Sequence, residues 1–288
     1  MNNVFENSRP GFARFIWLAF GSALMASPAV AGGRLEEFIA SHGCTFGPQS
    51  EAAAVAAGFE PGEIAEFVEM HLEDGTAQRE RSWVVLGEDV CKIRLPTIQS
   101  KWSATSPEVR ENAPYVDLNG EDDLSEGCFL TDGVALFTKL CGGDIDAGFD
   151  AYIDFVGAGI ISGDVRFYSP SPLKTPYGIQ ITSGDCARAP NTAAIAKSHP
   201  FIESHFDEFV HRVAAHTQCG EQLSYLSSQI GAEIQGVDIS APESADAEQI
   251  NAYLGFELGI ITMAAGWYEG MSGTEKGVPR PPLCHFPG

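Results

Sequence analysis

Five side chains able to bind a metal or move a proton fall within twelve residues: His205, Asp207, Glu208, His211 and His216. On a helix, Glu208 and His211 are three apart and Asp207 and His211 four apart, so each pair shares a face. Glu-x-x-His is a spacing used in carboxylate-bridged metal sites, which draw on a second helix of the same kind. The chain shows no clear partner motif, and His205 and His211 are six apart rather than four. The metal-ligand candidates are therefore His205, Asp207, Glu208 and His211. The pattern itself favours a solvated face with Asp207–His211 and Glu208–Arg212 pairs, each worth about 0.3 kcal/mol. No metal or other cofactor is expected.

Glu257 is the catalytic candidate. It shares a helical stripe with Leu254 and Ile261, and burial would raise its pKa and make it an acid. The structural alternatives are a pair with an arginine or a place at the stripe's edge. Ser171-Pro172-Leu173-Lys174 spells Ser-x-x-Lys, the nucleophile motif of penicillin-interacting enzymes, which works at the start of a buried helix. Here prolines surround the serine and no Ser-Asp-Asn or Lys-Thr-Gly accompanies it, so the match is a coincidence of spelling. The same loop, 169–178, holds three prolines that would limit the entropy lost on binding. Leu173, Lys174 and Tyr177 are its candidate partner-binding residues. The acidic turn from Asp117 to Asp123 offers hard oxygen ligands but lacks EF-hand spacing. Asp144 and Asp146 suit a helix start, with Asp150 and Asp154 following. Gly-x-Ser-x-Gly, a phosphate loop, Rossmann glycines, His-Glu-x-x-His and Cys-x-x-Cys are all missing from the sequence.

The elements that would position these residues follow an order that occurs twice. From Gly43-Cys44 the chain runs through an Ala-rich segment, a second apolar-periodic segment, the β-rich run Trp83 to Leu86, and Cys91. From Gly127-Cys128 it runs through Val134 to Leu140, a periodic segment around Phe149 to Val156, the strand Val165 to Tyr168, and Cys186. Helices are expected at 35–41, 51–57 and 62–74, then a hairpin from 77 to 92. Three helices and a hairpin is a winged-helix-like order. The last helix of the first unit carries Glu63, Glu66, Glu69, Glu73 and Asp74 without lysine or arginine, which argues against phosphate contact. Further on, an amphipathic helix is expected from Phe201 to Ala215 and a short one at 223–230. The longest helix is expected from Ala247 to Trp267, with Gly255 and Gly259 permitting close packing.

The repeat selects a disulfide scheme. Cys44–Cys91 and Cys128–Cys186 close equivalent units, Cys219–Cys284 closes the remainder, and Cys141 is left over; Cys128–Cys141 is the short-loop alternative. Seven cysteines suit an oxidising compartment. Arg9 and Arg14 precede the apolar run Phe15 to Ala26, and Ala29-Val30-Ala31 is a small-x-small cleavage site, the pattern of an export signal. Removing residues 1–31, which carry Arg9, Arg14 and Glu6, leaves 257 residues with 15 Lys+Arg against 38 Asp+Glu, a charge of −23. Such a surface disfavours nucleic acid and anionic membrane. At 44% hydrophobic residues the chain can still build a core.

The expected fold is α+β: a signal peptide at 1–31, helix–hairpin units at 32–96 and 127–192, a connector at 97–126, and a mainly helical unit at 193–288. The expected function is that of a periplasmic or secreted acidic protein that binds or scaffolds a protein partner, with no membrane span after signal cleavage. The alternative is a periplasmic hydrolase or metal-dependent enzyme using Glu257 or the His205–His216 helix.

Overall fold

The computed structural model describes residues 28–117, 126–168, 178–190, 192–193, 199–221, 227–237, 251 and 253–287. Residues 1–27 of the expected export signal and the loop residues 169–177, with Leu173, Lys174 and Tyr177, lie outside them, as does most of the acidic turn.

The first segment comprises α1 (Pro28–Ser41), β1 (Thr45–Phe46), α2 (Pro48–Ala56), α3 (Pro61–Glu73), β2 (Ala77–Glu80) and β3 (Trp83–Leu86). Leu35 and Ile39 bury the inner face of α1, with Phe38 packed beside them. Helices α2 and α3 both open on proline, whose missing N–H is harmless in the first turn. At the start of α2, Ser50 Oγ accepts the Gly47 N–H at 2.8 Å, satisfying a donor the helix leaves unpaired. The strands form an antiparallel sheet in the order β1-β3-β2.

The second segment holds α4 (Pro107–Asn112), β4 (Tyr115–Asp117), β5 (Glu126–Leu130), α5 (Gly133–Leu140), α6 (Ile145–Ser162), β6 (Val165–Tyr168) and β7 (Gly178–Ile181), then a 3₁₀ turn at Gly184–Arg188. Its sheet order is β4-β5-β7-β6. The stretch expected to be a plain connector thus supplies a helix and an edge strand, because Val109 and Ala113 are fully buried and Tyr115 pairs with Cys128. Asp132 and Asp144 accept the N–H groups of Ala135 and Ala147, capping α5 and α6.

The third segment holds α7 (His199–Ala215), α8 (Ser227–Ile234), α9 (Leu254–Ala264) and the hairpin β8 (Tyr268–Met271) and β9 (Lys276–Pro279). The Gly- and Pro-rich tail folds as a hairpin. One expectation is corrected here: the last helix is not the longest, since α9 has 11 residues and α6 has 18. Asn251 Oδ1 accepts the Tyr253 N–H and turns the chain just before α9, and Gly266, at φ +68°, ends it in a conformation that disfavours other residues.

The structure contains the disulfides Cys44–Cys91, Cys128–Cys186 and Cys219–Cys284, and Cys141 is free. Cys91, Cys186 and Cys284 each lie five residues beyond the strand ends Leu86, Ile181 and Pro279. One apolar core runs through all three segments, from Leu35 through Phe137 and Phe155 to Leu258 and Trp267. Within it α9 packs on α6 and α8.

The α8–α9 crossing is closer than side chains permit. A Cβ on Gly255 would sit 1.8 Å from the Ser227 carbonyl oxygen, and one on Gly231 would sit 2.4 Å from the Gly255 nitrogen. Both clashes are with backbone, which cannot swing aside. Gly255→Ala is expected to destabilise by about 2–3 kcal/mol, read as a lower urea midpoint with an unchanged slope. Gly259, where the same addition meets only the Ser227 side chain at 3.4 Å, should accept alanine with little loss.

Candidate functional site

A cleft of about 450 Å³ opens where the first segment's hairpin meets the third segment, a size typical of ligand sites. Its floor is apolar, with Ala77, Leu86, Ile93 and Ala214 among the lining residues. Glu80, at the end of β2, and Glu88 and Asp89, in the turn after β3, supply carboxylates. His211 reaches it from α7 and His285 from the tail.

Two histidine–carboxylate pairs cross this seam. His211 places Nδ1 3.3 Å from Glu88 Oε1 and Nε2 3.6 Å from Asp207 Oδ1. Asp207 also accepts the Ile93 N–H at 2.7 Å, tying α7 to the first segment. His285 Nδ1 lies 3.6 Å from Glu80 Oε1, and Glu80 Oε2 accepts the Phe286 N–H at 3.3 Å. The tail is held in place by Cys219–Cys284 and by a bridge between Gln218 and His285. The lining includes no lysine or arginine; close by, Arg280 donates to the carbonyl of the lining residue Pro281 and Arg81 stacks on the Phe286 ring at 4.3 Å.

The cluster along α7 therefore divides. His211 joins the cleft wall, and Asp207 pairs with it from the same helix. Glu208 instead pairs with Arg212 at 2.7 Å, and His205 turns its Nδ1 toward the Phe201 carbonyl and the Ser204 hydroxyl. Among the described residues no three His, Cys, Asp or Glu side chains converge so as to hold a metal ion.

Glu257 lies elsewhere, 1% exposed. Its Oε1 accepts the Phe167 N–H at 3.2 Å and its Oε2 accepts the Asn251 amide at 2.7 Å. Burial raises its pKa, opposed by the charge of Arg166 and by these hydrogen bonds. The carboxyl thus joins β6 of the second segment to α9 of the third.

The acidic series on α6 also has structural partners at its start: Asp146 accepts the Gly273 N–H at 3.1 Å. Farther along, burial and then the charge of Asp150 push the Asp154 carboxyl up to about 6. The proton is held more tightly in the folded chain, so this group's stabilisation is full below the ordinary carboxylate pKa and lost as pH rises through about 6. Asp154→Asn should therefore be more stable than the parent at pH 8. The gain, discounted because the side chain is only half-buried, is about 1 kcal/mol. It should vanish at pH 4, as paired thermal melts would show.

Glu80, Glu88, Asp89 and His285 are the site residues that sequence reasoning missed. They are spread over some two hundred positions, and the only signal was that His285 follows a cysteine whose partner, Cys219, lies just beyond α7. No known protein family, curated protein or solved structure matches the chain.

Proposed function

We propose that the protein is an exported acidic binding protein whose disulfide-closed units form a rigid scaffold for a partner. The observation that carries this reading is the open cleft between the first and third segments, apolar at its floor and rimmed by Glu80, Glu88 and Asp89. Three disulfides are consistent with an oxidising compartment, and among the described residues no helix is long and apolar enough to cross a membrane. The scaffold itself reads as winged-helix-like units. In the first two segments a strand, two helices and a hairpin recur with the strand orders β1-β3-β2 and β5-β7-β6. The third repeats two helices, a hairpin and a cysteine five residues on, which extends the two-unit reading to three. The proline-rich 169–178 loop, with Leu173, Lys174 and Tyr177, is a second contact surface in this proposal.

The mature protein, purified from its export compartment and examined by native mass spectrometry after mild crosslinking, tests the reading. A stoichiometric complex is expected, lost on deletion of 171–176 or in the Glu80→Gln, Glu88→Gln double variant. A partner-free protein that turns over ester or peptide substrates would overturn it in favour of a hydrolase.

A further inference from the structure

We infer that the cleft between the first hairpin and the third segment takes a cation on an apolar stem, an alkylammonium or guanidinium such as a lysine or arginine side chain presents. The inference rests on the binding reading above and names the ligand chemistry of that site. Both halves of such a ligand find a counterpart. Ala77, Leu86, Ile93 and Ala214 offer the stem an apolar floor, which aliphatic stems of charged side chains favour. Glu88 and Asp89, just beyond the Leu86 end of the hairpin, meet the head, and Glu80, opposite Trp83 at its other end, meets a second amine, with no lysine or arginine among the lining residues to repel them. The chain's net charge of −22 draws cations from a distance and raises their encounter rate.

The two histidines act as internal competitors. His211 faces Glu88 and Asp207, and His285 faces Glu80, with Arg81 stacked on the adjacent Phe286 and Asp89 on the rim. An incoming cation takes the place of these imidazoles on the Glu88 and Glu80 carboxylates.

Calorimetry on the mature, disulfide-intact protein tests this with two probes, spermidine and a short alternating Lys–Ala peptide, at about 0.15 M salt, where distant charges are screened. One-to-one binding is expected, weaker by about tenfold or more in the Glu80→Gln, Glu88→Gln variant. A tighter fit for the peptide assigns the cation to a protein segment, and a tighter fit for spermidine assigns it to a free amine. Glu66→Gln with Glu69→Gln on the exposed face of α3 is the control and should bind as the parent does. Equal loss in both variants, or no binding by either probe, overturns the inference. Failure here with a partner still captured sinks only the ligand chemistry. Cation binding without any captured partner sinks only the scaffold reading.

Discussion

Glu257→Ala is expected to cost about 3–5 kcal/mol of stability, the range for removing one partner of a buried charged pair. Three effects add. The Phe167 N–H and the Asn251 amide lose their acceptor, and each buried donor left unmade costs about 1–3 kcal/mol. The buried Arg166 guanidinium loses the opposing charge it faces. Truncation also leaves a void between β6 and α9, where the surrounding structure relaxes only partly. Glu257→Gln keeps the volume and one acceptor oxygen, so it should lose less. Chemical denaturation of parent and both variants checks the order. If alanine were tolerated and a hydrolytic activity vanished with it, the carboxyl would be serving chemistry rather than the junction between the second and third segments.

Replacing Cys219 and Cys284 together by serine is the second large effect. The bond closes a loop with a sequence separation of 65 residues, for which the chain-entropy model gives about 4 kcal/mol. The local consequence is as specific as the global one. Cys284 lines the cleft beside His285, and the bond holds the tail against α7. Without it the His285–Glu80 and Phe286–Glu80 contacts lose their support. The double variant should melt earlier and should also bind amines less tightly at temperatures where it remains folded. Opening Cys44–Cys91 alone spans a separation of 47 and should cost nearly as much stability, because loop length enters only as a logarithm. Its effect on the tail should be smaller.

Much of the fold was legible because it is written locally. The Pro61 helix start, the Asp144 cap and the helical spacing that buries Leu35 and Ile39 each involve residues within a few positions of one another. Cysteine order extended that reach to separations of 47 to 65 residues. The errors fell where local pattern met tertiary contact. The apolar stretch from Leu254 to Trp267 suggested a helix reaching back to 247, but Asn251 reaches Tyr253 and Glu257 and turns the chain before α9 begins. The Gly- and Pro-rich tail carried no strand periodicity, yet it pairs as β8 and β9.

The sequence by itself determined the types of most of the longer elements, the cysteine pairing scheme, the strongly acidic composition and the helical face shared by Asp207 and His211. Those properties depend on composition, on cysteine order and on spacing within one element. Only the tertiary structure decided that Glu257 would be consumed in a buried junction while Glu80, Glu88, His211 and His285 would meet across a cleft. Side chains two hundred positions apart become neighbours through the packing of α7 and the tail against the first hairpin, and no periodicity along the chain encodes that distance.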